Sequence, residues 1–211
     1  SAKLRDGQFD YLPSTPAAGD KPAWVSPWPA LSDVQGELVI DRNALQLNGV
    51  QARLWGTQLN NVNARIDNLG DHPVLVLQGE GQGPVADILK YVDTTPIGGW
   101  LHGALKPMTA AGVGNLRLAL SIPITDAAKT TVDGSVTCTG NDLRIREGTP
   151  LLAGTRGRID FTQRSFGIVG ASAQAVGGEV RFEGGMPAGA AMQFNAQGTA
   201  SARSHGSQWV Q

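Results

Sequence analysis

From Val34 onward apolar residues fall at every second position, as in Val34, Gly36, Leu38 and Ile40, and the pattern restarts after each Gly or Asn cluster. Side chains in an extended strand alternate between two faces, so this spacing predicts half-buried strands joined by tight turns. The same spacing recurs in Leu45 with Leu47, in Val50, Ala52 and Leu54, in Val62, Ala64 and Ile66, and in Leu75 with Leu77. It is cleanest in Leu116, Leu118, Leu120 and Ile122, where Arg117, Ala119 and Ser121 intervene. Val132, Gly134, Val136 and Cys138 continue it, then Ile159 with Phe161, Phe166 with Ile168, and Val180 with Phe182. The predicted class is all-β with one short helix, built as a repeated antiparallel meander.

One stretch changes period. From Pro84 to Val92 the residues Val85, Ile88, Leu89 and Val92 share one helical face, Pro84 suits the first helical position and Asp87 lies near the start. Thr95-Pro96 is placed to begin a second turn through Leu101, which Gly98 and Gly99 weaken. Three regions follow. Residues 1–31, with Pro13, Pro16, Pro22, Pro27 and Pro29 around Trp24 and Trp28, read as an extended arm; 32–200 form the repetitive β domain with a helical insertion near 84–101; and the Ser- and Gly-rich 201–211 read as a flexible tail.

An internal repeat ties the β region together. At an offset of 121, Gly36, Leu38, Ile40, Leu45, Leu47, Gly49, Ala52, Gly56 and Leu59 face Gly157, Ile159, Phe161, Phe166, Ile168, Gly170, Ala173, Gly177 and Val180 without a gap. A half-copy with the same spacing starts at Gly134 and runs through Val136, Cys138, Leu143 and Ile145. Such a unit cannot bury its apolar face alone, so copies add edge to edge and extend one surface. Periodicity leaves two arrangements open: two sheets packed face to face, or one face left open as a groove. The small residues Ala52, Ala64, Ala171, Ala173 and Ala175 suit either.

Composition removes several functions. Seventeen basic and 18 acidic residues give a charge of -1, without the basic footprint that a nucleic-acid partner requires. Cys138 cannot form an internal disulfide and reads as a small buried residue; nothing matches a metal-ligand spacing, so no metal or other cofactor is expected. No run reaches the roughly 18 apolar residues that span a bilayer and the N-terminus has no apolar signal core, so the expectation is either a soluble protein or a targeting segment outside this piece. His72, His102 and His205 are scattered through loop-like sequence, and Asp41, Asp67, Asp126 and Asp160 fall at strand ends or outward positions. Gly79-Glu80-Gly81-Gln82-Gly83 precedes a helix but lacks the βαβ context of a phosphate loop. No catalytic residue is assigned and no enzymatic activity is expected. Trp24, Trp28, Trp55 and Trp100 read as aromatic packing at an open sheet end.

The segment Trp28-Pro29-Ala30-Leu31-Ser32-Asp33-Val34, with Ala64-Arg65-Ile66-Asp67-Asn68-Leu69, Asp87-Ile88-Leu89-Lys90-Tyr91-Val92, Thr95-Pro96-Ile97 and Leu120-x-Ile122-Pro123-Ile124, resembles the YhdP proteins of the AsmA-like superfamily over roughly residues 24–185. The resemblance implies an elongated, taco-shaped β groove in the periplasm, part of an inner-membrane-anchored bridge that conducts phospholipids towards the outer membrane. It implies as partners a phospholipid or other acyl-chain lipid, adjoining β-groove repeats and, through a segment absent here, the inner membrane. On that reading this chain is an internal segment whose lipid path is lined by Leu38, Ile40, Leu45, Leu47, Ala52, Leu54, Val62, Ala64, Ile66, Leu75, Leu77, Leu116, Leu118, Leu120, Ile122, Val136, Ile159, Phe161, Phe166, Ile168, Val180 and Phe182. Two other readings remain: an envelope scaffold recruiting partners through its sheet edges, and a carbohydrate-binding sandwich, for which six per cent aromatic residues is little.

Overall fold

The computed structural model describes residues 1–199; the expected tail from Ser201 to Gln211 lies outside them. The strands are β1 (Ala2–Phe9), β2 (Leu31–Asp41), β3 (Ala44–Leu54), β4 (Thr57–Ile66), β5 (Val74–Pro84), β6 (Thr109–Ala111), β7 (Val113–Pro123), β8 (Thr131–Arg144), β9 (Leu152–Thr162), β10 (Phe166–Ala175), β11 (Gly178–Met186) and β12 (Gln193–Thr199). Helices α1 (Val85–Thr94) and α2 (Pro96–Trp100) sit between β5 and β6. All strands join one antiparallel sheet in chain order, with β6 pairing β8 beside the main path. No second sheet packs on it among the described residues, so the sandwich arrangement is not the one adopted. Ala2–Phe9, which its proline-rich neighbourhood suggested would be irregular, pairs with β2; the prolines begin only after it, so its backbone donors are free to join the ladder.

Two blocks of bent strands flank a straight centre. β5 and β7 pair without interruption from Val74–Pro123 to Pro84–Val113. On either side the ladders carry bulges, and left-handed residues stand in them: Asp6, Asp33, Gly49 and Asn61 in β1 to β4, then Gly140, Gly154 and Gly170 in β8 to β10. A bulge inserts one extra residue, bends the strand and raises its twist. Inward apolar spacing therefore steps from two to three at each, as in Leu45, Leu47, then Val50, Ala52, Leu54. These are one strand, not the two that a restart after Gly49 suggested. Glycine suits this site because positive φ costs it little.

The repeat is carried in the backbone as well as the sequence. Shifting by 121 superposes Asp33 on Gly154, Gly49 on Gly170 and Trp55 on Val176, all with φ between 49° and 61°. Pairs Leu38–Leu47, Ile40–Leu45 and Ala52–Leu59 map onto Ile159–Ile168, Phe161–Phe166 and Ala173–Val180. The half-copy at Gly134 does not hold as a hairpin. Val136, Cys138 and Leu143 all belong to β8, because Gly140 makes a bulge there where the other copies turn.

The core is one face of the sheet plus what covers it. The arm contributes Tyr11, Leu12, Trp28 and Leu31, and the insertion contributes Val85, Ile88, Tyr91, Val92, Ile97 and Leu101. Helix α1 forms where expected, burying Val85, Ile88 and Val92, with Tyr91 in place of the half-buried Leu89. Pro84 is its N-cap, one position earlier than expected, and Thr95 caps α2 through its backbone position alone.

Gly134 is one of several sheet positions without room for a side chain: a Cβ there would lie 2.4 and 2.6 Å from the Phe161 ring and 3.0 Å from the Arg117 carbonyl. Gly134→Val is therefore expected to destabilise the fold by about 1–3 kcal/mol in urea denaturation, as overpacking does. Phe161→Leu in the same chain should restore part of that loss, and an unchanged midpoint in the single variant would contradict this packing.

Candidate functional site

Antiparallel pairing places opposed residues on the same face, so the register can be followed from strand to strand. One row runs Ala52, Leu59, Gly81, Leu116, Val136, Ile159, Ile168, Gly184, Phe194, crossing β3 to β12 without leaving the apolar face. At roughly 4.8 Å per strand it is about 38 Å long. A second row, Leu38, Leu47, Ala64, Leu77, Leu120, Val132, crosses β2 to β8. Ile40, Leu45, Ile66, Leu75 and Ile122 form a third, while Leu118, Gly134, Phe161, Phe166 and Met186 form a fourth. Every residue in these rows except glycine and alanine is a hydrocarbon or thioether side chain, so the face offers near-uniform contacts along its length.

The candidate lining residues all lie on this face, and their access differs. Leu47, Ala52, Leu54, Val62, Ala64, Ile66, Leu75, Leu77, Leu116, Leu120, Ile122, Val136, Phe161, Phe166 and Ile168 are buried. Leu38, Leu45, Leu118, Ile159, Val180 and Phe182 are half-buried, and Ile40 is 63% exposed at the end of its strand. Phe194, 41% exposed and in register with Ile168 through Gly184, completes the long row but was not legible in advance, because Gln193 and Asn195 leave it alone among polar residues.

The cover is an aromatic cluster. Trp28 lies 6.4 Å from Tyr11, 6.2 Å from Tyr91 and 6.3 Å from Trp100 between ring centroids, and Tyr91 lies 6.5 Å from Trp55. The buried hydroxyls of Tyr11 and Tyr91 are 3.2 Å apart and satisfy each other. Lys90 stands 4.2 Å over the Trp55 ring. Asp87 Oδ2 accepts the Gly56 N–H at 2.9 Å, which ties the start of α1 to the β3–β4 turn. Beneath α1 a small apolar cavity of about 20 Å³ is enclosed by residues that include Leu54, Ile88, Tyr91, Val92, Leu116, Leu118 and Phe161.

The opposite face is polar. An open trough of about 1350 Å³ runs from β4 to β12, lined by Glu80, Arg117, Asp133, Arg158 and Asp160 of this face together with residues of the apolar rows such as Leu118, Phe161, Phe166 and Ile168. Arg117 and Glu80 are 3.6 Å apart, Arg158 and Asp160 2.8 Å, all solvent-exposed, where such pairs contribute little. His72 pairs with the neighbouring Asp71, while His102 is exposed; His205 lies outside the described residues. Among the described residues no group of three His, Cys, Asp or Glu side chains is placed to hold a metal. Burial pushes the Cys138 thiol up from its ordinary value, away from the reactive thiolate. No described helix is long and apolar enough to cross a membrane.

What fold and face define together is an open, bulged β-meander with one continuous hydrocarbon surface and one solvated surface. The sequence profile of the YhdP protein family matches residues 1–210, and the chain belongs to that family. It is 29% identical over 159 residues to a protein of Escherichia coli (strain K12) named intermembrane phospholipid transporter YhdP. The match covers 75% of this chain and 12% of that protein. No solved structure matches the chain.

The tyrosine pair gives the cover a pH dependence. Burial holds both phenols above their ordinary value, and for Tyr11 the neighbouring Tyr91 adds to it. Both must stay neutral in the fold but ionise at about 10 once unfolded. Their contribution is thus fully present below about pH 10 and is lost as pH rises through the folded values. Tyr11→Phe is expected to cost about 1 kcal/mol at neutral pH and to flatten the fall in stability measured by denaturation above pH 10. An unaltered alkaline slope would contradict the pairing.

Proposed function

We propose that this chain is a non-enzymatic segment of a periplasmic bridge that holds phospholipid acyl chains on the apolar face of its sheet and passes them along it. The observation that carries the proposal is the register itself: nine consecutive strands present apolar or small side chains in one unbroken row. Membership of the YhdP family, and the name of the E. coli relative, favour phospholipid as the cargo. The match spans 12% of that relative, and on this reading adjoining β-groove repeats of the full-length protein and the inner membrane are further partners.

The physics suits the task. Moving hydrocarbon into water costs about 0.8 kcal/mol per CH₂, so a free acyl chain faces a barrier on the order of ten kcal/mol. A row of similar Leu, Ile, Val and Phe surfaces removes most of that cost at every step and provides no deep well, so the chain slides while its headgroup stays in water. Half-buried Leu118, Ile159, Val180 and Phe182 are where a tail first gains contact, because the cover leaves them accessible.

Photocrosslinking tests this in the full-length protein. A benzophenone amino acid at Ile159 or Phe182 is expected to label phospholipid, whereas the same probe at Ser135 or Thr137 on the polar face should not. Ile159→Asp should abolish labelling at Phe182 while the circular dichroism spectrum stays that of the parent. Equal labelling from both faces, or none from the apolar one, would overturn the proposal.

A further inference from the structure

We propose that helix α1 is a gate lying across the lipid row, which a tail must lift in order to pass; the idea rests on the lipid-conducting reading above. Three features place it there. First, α1 covers the row at its middle: Ile88, Tyr91 and Val92 share a cavity wall with Leu116, of the nine-strand row, and with Leu118 and Phe161 of its neighbour. A tail moving from β4 towards β9 along that row meets the helix.

Second, the helix can leave without dismantling the sheet. β5 and β7 are hydrogen-bonded to each other over their full length, so the segment 85–112 is an excursion from a ladder that is complete without it. The crossover itself is pinned, since the Asn141 side-chain amide donates to the carbonyls of Ala111 and Val113 at 3.1 and 3.0 Å and β6 pairs with β8. The excursion therefore has a fixed return point and a middle held to the sheet by side chains, Ile97 and Leu101 fully buried among them, instead of by strand pairing.

Third, what holds α1 down is separable from the strand pairing. Its fastenings are the Gly56–Asp87 hydrogen bond, the Tyr11–Tyr91 hydroxyl pair, Lys90 over Trp55, the ring contacts of Tyr91 with Trp28 and Trp55, and packing that leaves a small apolar cavity directly beneath it. An apolar cavity gives a lipid tail a place to begin inserting, because its lining already lacks part of its packing. A tail wedged there replaces the contacts of Ile88 and Val92 with its own, so that lifting the helix exposes little hydrocarbon to water. The arm enters the same mechanism as the latch, through Tyr11 and Trp28.

A reversible lock tests the gate in the full-length protein with Cys138→Ala. A Cβ built on Gly56 would lie 2.7 Å from Asp87 Oδ2, so Gly56→Cys with Asp87→Cys places two thiols within disulfide reach. With a benzophenone probe at Leu116, buried under α1, oxidation should reduce phospholipid labelling to background and dithiothreitol should restore it, while a probe at Phe182 labels in both states. Unlatching by Tyr11→Phe, which needs no new disulfide, should raise labelling at Leu116 by about fivefold, the effect of losing one buried hydrogen bond. Labelling at Leu116 that ignores both the lock and the Tyr11 variant would overturn the gate and leave lipid conduction standing. No labelling at Leu116 or Phe182 in either redox state would instead overturn lipid conduction.

Discussion

The structure depends on keeping its alternation in phase. Side chains in a strand switch faces at each residue, so a single unpaired residue would turn the rest of that strand inside out. In seven of these strands a positive-φ residue, from Asp6 to Gly170, marks an irregular step in the ladder, and in each the inward spacing widens to three at that point. The bulge restores the phase while bending the strand, so a curved sheet retains one wholly apolar face. Curvature and continuity thus arise from the same device, and the long row from Ala52 to Phe194 is its product.

The two bulged blocks share a repeat, β2–β4 matching β9–β11, and the straight β5–β7 pair between them is where the chain departs to build α1 and α2. A regular ladder suits that place, because it closes behind the insertion and leaves the helices free to serve as cover. Over β2 to β8 the cover is dense, with Ile97 and Leu101 fully buried and the Tyr–Trp cluster stacked above them. Towards β11 and β12 it thins, and Val180, Phe182 and Phe194 regain access to solvent. Among the described residues the apolar face is thus closed at one end and open at the other.

Much of this was readable in the sequence. Period-two runs located the strands, the change of period located α1, and the 121-residue offset located a repeat whose φ angles and pairings agree. What escaped was three-dimensional. Gly49 and Asn61 looked like turns because a turn and a bulge ask for the same left-handed backbone, and only pairing distinguishes them. Tyr11 and Leu12 gave no periodic signal, since their burial is owed to helices some eighty residues away. The face that carries the candidate residues was legible from alternation alone; which of them are covered was not, because cover comes from an arm and an insertion without strand periodicity.

Membership of the YhdP family and an unbroken hydrocarbon row both support the proposed reading, in which lipid is held by surface contact. The claim that matters most is that this row receives acyl chains. A density map of the full-length protein purified with its native lipid tests it most directly. The account requires elongated density lying along Ile159, Phe182 and Phe194 on the apolar face. Protein side chains filling that space, with the same row dry and empty of lipid in every particle class, would contradict it.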